Sequence, residues 1–206
     1  MLKIWGRTNS VNVKKVLWVA EELGLEYERI DAGLHFGVNK TPGYLRMNPT
    51  GLVPTIEDDG FQLWESHSIV RYLAAKHSAG KLWPTDLQQR ADAERWMDWT
   101  FTFQKEFQRP IFWPLVRTPP EKRDLNAIEA ARGVCAELLQ IPEKRLADRP
   151  YLGGDRLTIA DIPLGCHVQL WMRLPLERPA QPKLKAWFER LLERPAFRKT
   201  VDIPLS

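Results

Sequence analysis

Cysteine is nearly absent from this 206-residue chain: Cys135 and Cys166 are the only two, they lie far apart, and no Cys-x-x-Cys pair occurs. That excludes a disulfide framework and a vicinal redox dithiol, and both cysteines fall among helix-like apolar positions, where a thiol packs as a small hydrophobe. No group of His, Cys, Asp and Glu has metal-ligand spacing, so no metal is expected. No apolar run approaches the roughly 18 residues of a membrane span. A basic tract is missing too. Lys and Arg number 30 against 26 Asp and Glu, a net +4, and the signs interleave at Glu94-Arg95, across residues 121–124 and across 143–145. Nucleic acid is therefore not an expected partner. The opening residues 1–5 read directly as a strand with no leader-like segment, so a cytoplasmic protein is the expectation. There is no internal repeat and no low-complexity stretch.

What is present is an ordinary globular mixture, 44% hydrophobic and 27% charged, with nine tryptophans, seven of them at or after Trp64. The first eighty residues switch repeatedly between periods. Residues 2–5 read as a buried strand and 13–23 as a helix with Val16, Leu17, Val19, Ala20 and Leu23 on its apolar side, stopped by Gly24. Residues 27–31 read as a second strand. An irregular Gly-, Asn- and Pro-rich stretch follows from 33 to 51. Residues 53–57 and 61–64 form a hairpin around the Asp59-Gly60 turn, and a helix runs from Ser66 to about 77. The order β-α-β-(irregular)-β-β-α predicts a compact α/β unit with a parallel first pair. From Thr85 onward every pattern is helical: 86–110, 121–145 with a bend at Pro142, 159–173, 183–194 and a short C-terminal piece. The expected division is an α/β domain at 1–80, a linker at 81–86 and an all-helical domain at 87–206.

Three motifs carry information. Glu65-Ser66 stands at the mouth of an amphipathic helix whose buried side is Ile69, Val70, Tyr72, Leu73 and Ala74. A helix N-terminus attracts an anion, and an adjacent carboxylate holds an amine, so the pair suits an α-amino acid or a γ-glutamyl group. Ser66 also reads as a plain N-cap. Eleven residues before Glu65 lies Pro54 of a Val53-Pro54 pair, preceded by Asn48-Pro49-Thr50-Gly51-Leu52. Far downstream, Thr158-Ile159-Ala160-Asp161 is a capping box with Asp in the Glu/Gln place: the Thr hydroxyl accepts from the N3 amide while the Asp reaches back to the N-cap. That last motif is a folding signal.

Taken in register, Asn48–Pro54, Glu65-Ser66 with Ile69, Tyr72 and Leu73, and Tyr151-Leu152-x-Gly154 with Thr158, Ala160, Asp161 and Ile162 resemble the cytosolic glutathione transferase superfamily over essentially the whole chain. The resemblance implies a thioredoxin-like N-terminal domain, an all-helical C-terminal domain, a homodimer, and glutathione as co-substrate. It implies that Val53 pairs main chain to main chain with the cysteinyl part of glutathione, that Pro54 is cis, and that Glu65 and Ser66 hold the γ-glutamyl amine and carboxylate.

Thiolate activation then falls to residues 6–12. Ser10 stands where serine-type members place their hydroxyl, and Asn12 matches a bacterial asparagine-type branch; capping of the first helix is the alternative for either. No tyrosine or cysteine lies there. Leu52 replaces the Lys or Gln that many relatives use for the glycyl end, which leaves Lys40, Asn39 and His35 as candidates to compensate. Trp96, Trp99 and Phe103 form an aromatic stripe and Trp113 follows; of these Trp99, Phe103 and Trp113 are the expected wall for an apolar small-molecule electrophile, in a pocket expected between the domains, with bundle core as the alternative. The activity implied is conjugation, with glutathione-dependent disulfide or peroxide reduction and a non-enzymatic ligand-binding role as alternatives.

Overall fold

The computed structural model describes residues 1–205. The chain divides into two compact units, Met1–Trp83 together with Pro195–Ile203, and Pro84–Arg194 with Pro204 and Leu205. The C-terminal piece expected in the helical domain thus groups with the α/β unit instead.

In the first unit, β1 (Leu2–Trp5), α1 (Val11–Glu22) and β2 (Tyr27–Ile30) form a parallel βαβ crossover with Leu2 opposite Tyr27 and Trp5 opposite Ile30. Two 3₁₀ turns, Leu34–Phe36 and Val38–Lys40, lead into α2 (Pro42–Met47). This helix falls inside the stretch expected to be irregular. Six residues are too few to show a 3.6-residue period, but its start is specified locally: Pro42 takes the first position and Thr41 Oγ1 accepts from Tyr44 N at 3.3 Å. Strands β3 (Thr55–Asp58) and β4 (Phe61–Trp64) complete a sheet in the order β2-β1-β3-β4, with β1–β3 and β3–β4 antiparallel. Strand β3 begins two residues later than expected, after Pro54, which has no N–H to give a ladder. Helix α3 (Ser66–His77) is fastened to the hairpin by Asp58, whose carboxylate accepts from Tyr72 Oη at 2.8 Å and Lys76 Nζ at 2.6 Å.

Helix α1 is buried continuously from Val13 to Ala20. Positions 14, 18 and 21 lie on one face by helical spacing, and all three meet α10 (Pro195–Thr200) or the turn after it. Lys14 Nζ donates to the Val201 carbonyl at 2.9 Å, the Trp18 and Phe197 rings meet edge to face at 4.8 Å, and Glu21 pairs with Lys199 at 2.7 Å. A buried ammonium thus satisfies a carbonyl at the C-terminal end of α10, where the helix dipole is negative. These contacts are why residues 195–203 belong to the first unit.

The second unit opens with α4 (Leu87–Phe107), whose start is capped by Asp86 accepting from Gln89 N at 2.9 Å. A π turn at Gln108–Phe112 carries it into α5 (Trp113–Arg117); Pro110 lies in that turn, where its missing N–H breaks the regular ladder. The single helix expected over 121–145 is two, α6 (Leu125–Leu138) and α7 (Gln140–Arg145). The break comes before Pro142 because proline cannot donate back to the carbonyl four residues earlier, at Leu138. Helices α8 (Asp161–Arg173) and α9 (Pro182–Leu192) follow. Phe103 and Phe107 stack at 5.3 Å with Trp171 edge-on to both.

Asp161 is fully buried and does more than the capping box requires. Its carboxylate accepts from Thr158 N at 3.0 Å, the expected return leg, and also from Leu152 N at 2.8 Å and Trp187 Nε1 at 2.9 Å. The Thr158 hydroxyl accepts from Ala160 N at 3.3 Å, one residue short of the expected N3 amide. One side chain therefore joins α8, α9 and the 151–154 turn. Asp161→Ala leaves three N–H donors buried without an acceptor, at about 1–3 kcal/mol each; chemical denaturation should show a loss of at least ~3 kcal/mol. Burial pushes the Asp161 carboxyl up from 3.8 to about 6, against the Thr158, Leu152 and Trp187 donors that hold it down. Because the folded value lies above the unfolded one, the proton is bound more tightly in the folded chain. The proton-linked part of this group's stabilisation is complete below pH 3.8, declines between 3.8 and about 6, and is gone above that, where the three N–H bonds to the carboxylate remain. Relative to Asp161→Asn, the wild-type chain should gain about 3 kcal/mol as the pH falls through that window, read by denaturation at fixed pH values.

Candidate functional site

Three segments of the first unit converge on chemistry: the β1–α1 loop, the 39–54 loop and the β4–α3 junction. The first can fold back over α1 only because residue 6 is glycine; a Cβ there would lie 2.4 Å from Val13 Cγ2. Gly6 N donates to the Ile30 carbonyl at 2.9 Å, which fixes the loop to β2. The loop ends at Ser10, extended at φ −82° and ψ 122° and only 8% exposed, in the N-cap position of α1. Its carbonyl accepts from Lys14 N at 2.9 Å, but its hydroxyl makes no capping bond and has no hydrogen-bond partner among the described residues. The Asn12 carboxamide is engaged: Oδ1 accepts from Lys15 Nζ at 2.9 Å. Capping therefore explains neither side chain.

The 48–55 turn is held from beneath by a polar cluster. Tyr44 Oη donates to the Leu52 carbonyl at 2.5 Å and lies 2.7 Å from Thr55 Oγ1. Asn48 Nδ2 reaches the same two groups at 3.0 Å, while its Oδ1 accepts from Thr50 N at 3.0 Å and Thr50 Oγ1 at 2.6 Å. Asn39 Nδ2 donates to the Gly51 carbonyl at 2.6 Å. The turn delivers Val53, whose main chain has no hydrogen-bond partner among the described residues, and a cis Val53–Pro54 bond. The Leu52 side chain is 64% exposed. Lys40 is exposed as well, and its ammonium lies against the turn, 3.1 Å from where a Cβ on Gly51 would stand.

At the third segment Glu65, not Ser66, takes the N-cap position, and Ser66 is the first helical residue. The expected Ser66 cap is absent, and Glu65 does not cap either. Its φ is +71°, a region that costs a non-glycine residue about 1–3 kcal/mol. The Glu65 side chain is exposed and that of Ser66 buried, and neither has a hydrogen bond or ion pair from its side chain among the described residues. Two helices thus start side by side without side-chain caps, α1 packing on α3, each offering amides and a serine hydroxyl.

Sequence reasoning missed the supports. Tyr44 and Asn48 act from below the turn; the Asn48–Thr50 contact is an Asx turn that Asn-Pro-Thr-Gly signals. Lys15 and His67, buried with Lys15 Nζ 3.0 Å from His67 Nε2, carried no legible signal. In the second unit the expected aromatic wall separates. Phe103 is 0% exposed and packed against Phe107, His167 and Trp171, so it is core and offers no surface to a ligand. Trp99 is half-buried, edge-on to Trp96 at 5.7 Å. Trp113 is half-buried between the guanidinium groups of Arg109 and Arg117, each 5.4 Å from its ring. Cys135 is buried, which pushes its thiol up to about 12, with Glu106 adding to the effect, so it is no nucleophile at neutral pH.

A βαβ unit extended by an antiparallel hairpin, with a cis-proline turn beside two open helix starts, followed by a helical unit, defines a thioredoxin-like fold joined to an all-α domain. Family models agree: residues 1–75 match the glutathione S-transferase N-terminal domain and 107–195 the C-terminal domain. The chain belongs to the glutathione S-transferase family. It is 44% identical over 208 residues to glutathione S-transferase GstB of Escherichia coli strain K12, covering all of both chains. Among solved structures it is similar to the theta class glutathione S-transferase of Xanthomonas axonopodis pv. citri with glutathione bound, with 48% identity, a TM-score of 0.95, and 100% of this chain and 99% of that one covered. It is also similar to maize glutathione S-transferase I in complex with an atrazine glutathione conjugate, at 27% identity and TM-score 0.87 over 97% and 96% of the two chains.

Tyr44→Phe keeps the ring and removes both hydroxyl bonds. Unfolding free energy should fall by about 1–2 kcal/mol, and amide exchange at Leu52 and Thr55 should accelerate. Unchanged exchange would mean Asn48 alone holds the turn.

Proposed function

We propose that this chain is a glutathione S-transferase that binds glutathione across the β1–α1 loop, Val53 and Glu65-Ser66, and conjugates its sulfur to an apolar electrophile. The observation that carries the reading is the pair of uncapped helix starts whose serine hydroxyls are unengaged, beside a main-chain edge at Val53 that is also unpaired. Those are the groups a γ-glutamyl tripeptide requires. Its carboxylate meets the α3 amides and Ser66, its amine meets Glu65, and its cysteinyl backbone pairs with Val53. With Leu52 unable to bond the glycyl carboxylate through its side chain, Lys40 is the group that meets it.

Ser10 then donates to the sulfur at the positive end of α1. A thiol with pKa near 8.5 is mostly protonated at neutral pH, and this donor with the helix dipole favours the thiolate. The proton leaves to solvent, sulfur forms a bond to the electrophilic carbon, and the leaving group departs with its electron pair. Ser10 is preferred to Asn12 because its hydroxyl stands unengaged in the N-cap position of α1, while the Asn12 carboxamide is fastened to Lys15 through its oxygen and keeps only its N–H₂ to donate. Trp99 and Trp113 remain the candidates for holding the electrophile. A homodimer working in the cytoplasm is part of the same proposal, as the family resemblance of the sequence motifs implies.

Ser10→Ala should raise the pKa of bound glutathione and lower kcat about 10²–10³-fold, with its Kd little changed. Asn12→Ala should do far less, and the reverse ranking would transfer the role. Glu65→Gln and Ser66→Ala should weaken glutathione binding about tenfold or more, as lost charge-assisted bonds do. No glutathione binding by calorimetry at millimolar concentration would end the reading.

A further inference from the structure

Lys15 is 0% exposed, an unusual place for an ammonium. It stands in the second turn of α1 and donates back to Asn12 Oδ1 at 2.9 Å within the same helix. Across the packed interface it lies 3.0 Å from Nε2 of His67, the second residue of α3 and the neighbour of Ser66. One buried group therefore touches the starts of both uncapped helices.

The chemistry of an ammonium makes those contacts directional. It has three donors and no acceptor. Asn12 must present its oxygen to Lys15, which turns the carboxamide N–H₂ away as a donor. To accept from the ammonium, His67 presents an unprotonated Nε2, which places a ring proton on Nδ1. An amide at position 12 and an imidazole at position 67 each have two faces that sterics alone distinguish poorly, and the lysine decides both. It also sets the separation of the two helix starts, because a side chain anchored at α1 and bonded to the first turn of α3 spans the gap between them.

We propose that Lys15 is a positioning residue for glutathione: it fixes the Asn12 carboxamide and the His67 tautomer, and so holds the thiol-activating start of α1 and the γ-glutamyl start of α3 in register. This rests on the functional reading above. A buried Lys at such a junction with a purely structural role would affect stability but not the balance of kinetic constants. A positioning role affects the glutathione constants selectively, since misplacement of about 1 Å costs up to 10²-fold.

The test uses the full-length protein. Lys15→Met preserves the stem length without donors; the expected result is a glutathione KM raised about tenfold, with the electrophile KM within about twofold and unfolding still cooperative. His67→Gln retains an acceptor for the ammonium and should stay within about threefold of wild type, while His67→Leu should match Lys15→Met. In the wild-type chain, ¹⁵N chemical shifts of the His67 ring should report the Nδ1–H tautomer. A folded Lys15→Met with unchanged glutathione KM, equal behaviour of the two His67 variants, or a proton on Nε2 would each overturn the proposal. Should Lys15→Met fail to fold, the His67 pair and the wild-type tautomer decide it. Absence of glutathione binding by the wild-type protein overturns the functional reading instead, which separates the two failures.

Discussion

Helix α1 must be buried along its length and open at its start, and the rest of the first unit is arranged around that requirement. From Val13 to Ala20 it is sealed. Apolar contact alone would do this at positions 13, 16, 17, 19 and 20, but 14 and 15 are lysines. Each reaches a specific acceptor: Lys14 the carbonyl of Val201, Lys15 the first turns of α1 and α3. Burying a charge without such acceptors costs several kcal/mol, so the two lysines dictate which elements can pack against the helix. The C-terminal helix α10 is bound to the α/β unit by this logic, through Lys14, the Trp18–Phe197 edge and the Glu21–Lys199 pair.

One polar cluster in each unit shows the opposite treatment of buried polar groups. In the second, Asp161 collects three donors and leaves none over, so it welds α8, α9 and the 151–154 turn. In the first, the polar groups at the surface of the site are left open while those beneath it are closed. Tyr44, Asn48, Thr50 and Thr55 form a complete network under the 48–55 turn; above it Ser10, Val53, Glu65 and Ser66 remain unengaged. A fully satisfied support beneath an unsatisfied surface is what preorganisation requires, since a binding group is only as well placed as its neighbours are rigid.

Most of the strand and helix order was legible from periodicity and turn signals, because strands of four residues between clear turns and helices of twelve leave clear patterns. What was not legible has physical causes. Helix α2 is too short for a period, and within the stretch expected to bend at Pro142 the break itself, at Leu139, depends on where the lost hydrogen bond falls. Phe103 and Trp99 share one helix, and no spacing rule says which faces the core. Nothing in the spacing marks Lys14 and Lys15 as buried, because a four-carbon stem suits either environment. At the candidate site, Glu65, Ser66 and Val53 belong to sequence motifs and Ser10 to the segment before the first helix, whereas Tyr44, Lys15 and His67 act through partners distant in sequence.

Glu65 shows why residue type and backbone must be weighed together. A carboxylate at a helix start gains about 0.3–1 kcal/mol from the dipole, so its presence there alone could be called ordinary. Yet φ of +71° costs a non-glycine residue about 1–3 kcal/mol, and a side chain that caps would add about 1 kcal/mol that Glu65 does not collect. In the empty protein the balance is unfavourable. Glycine would remove the strain, and Ser, Asp or Asn would cap, so folding by itself selects against glutamate at this position. The residue makes sense as half of a contact. Its carboxylate stands clear of the protein's own amides, and in the proposed glutathione site the γ-glutamyl amine would add the charge-assisted bond that the strained, uncapped helix start leaves available.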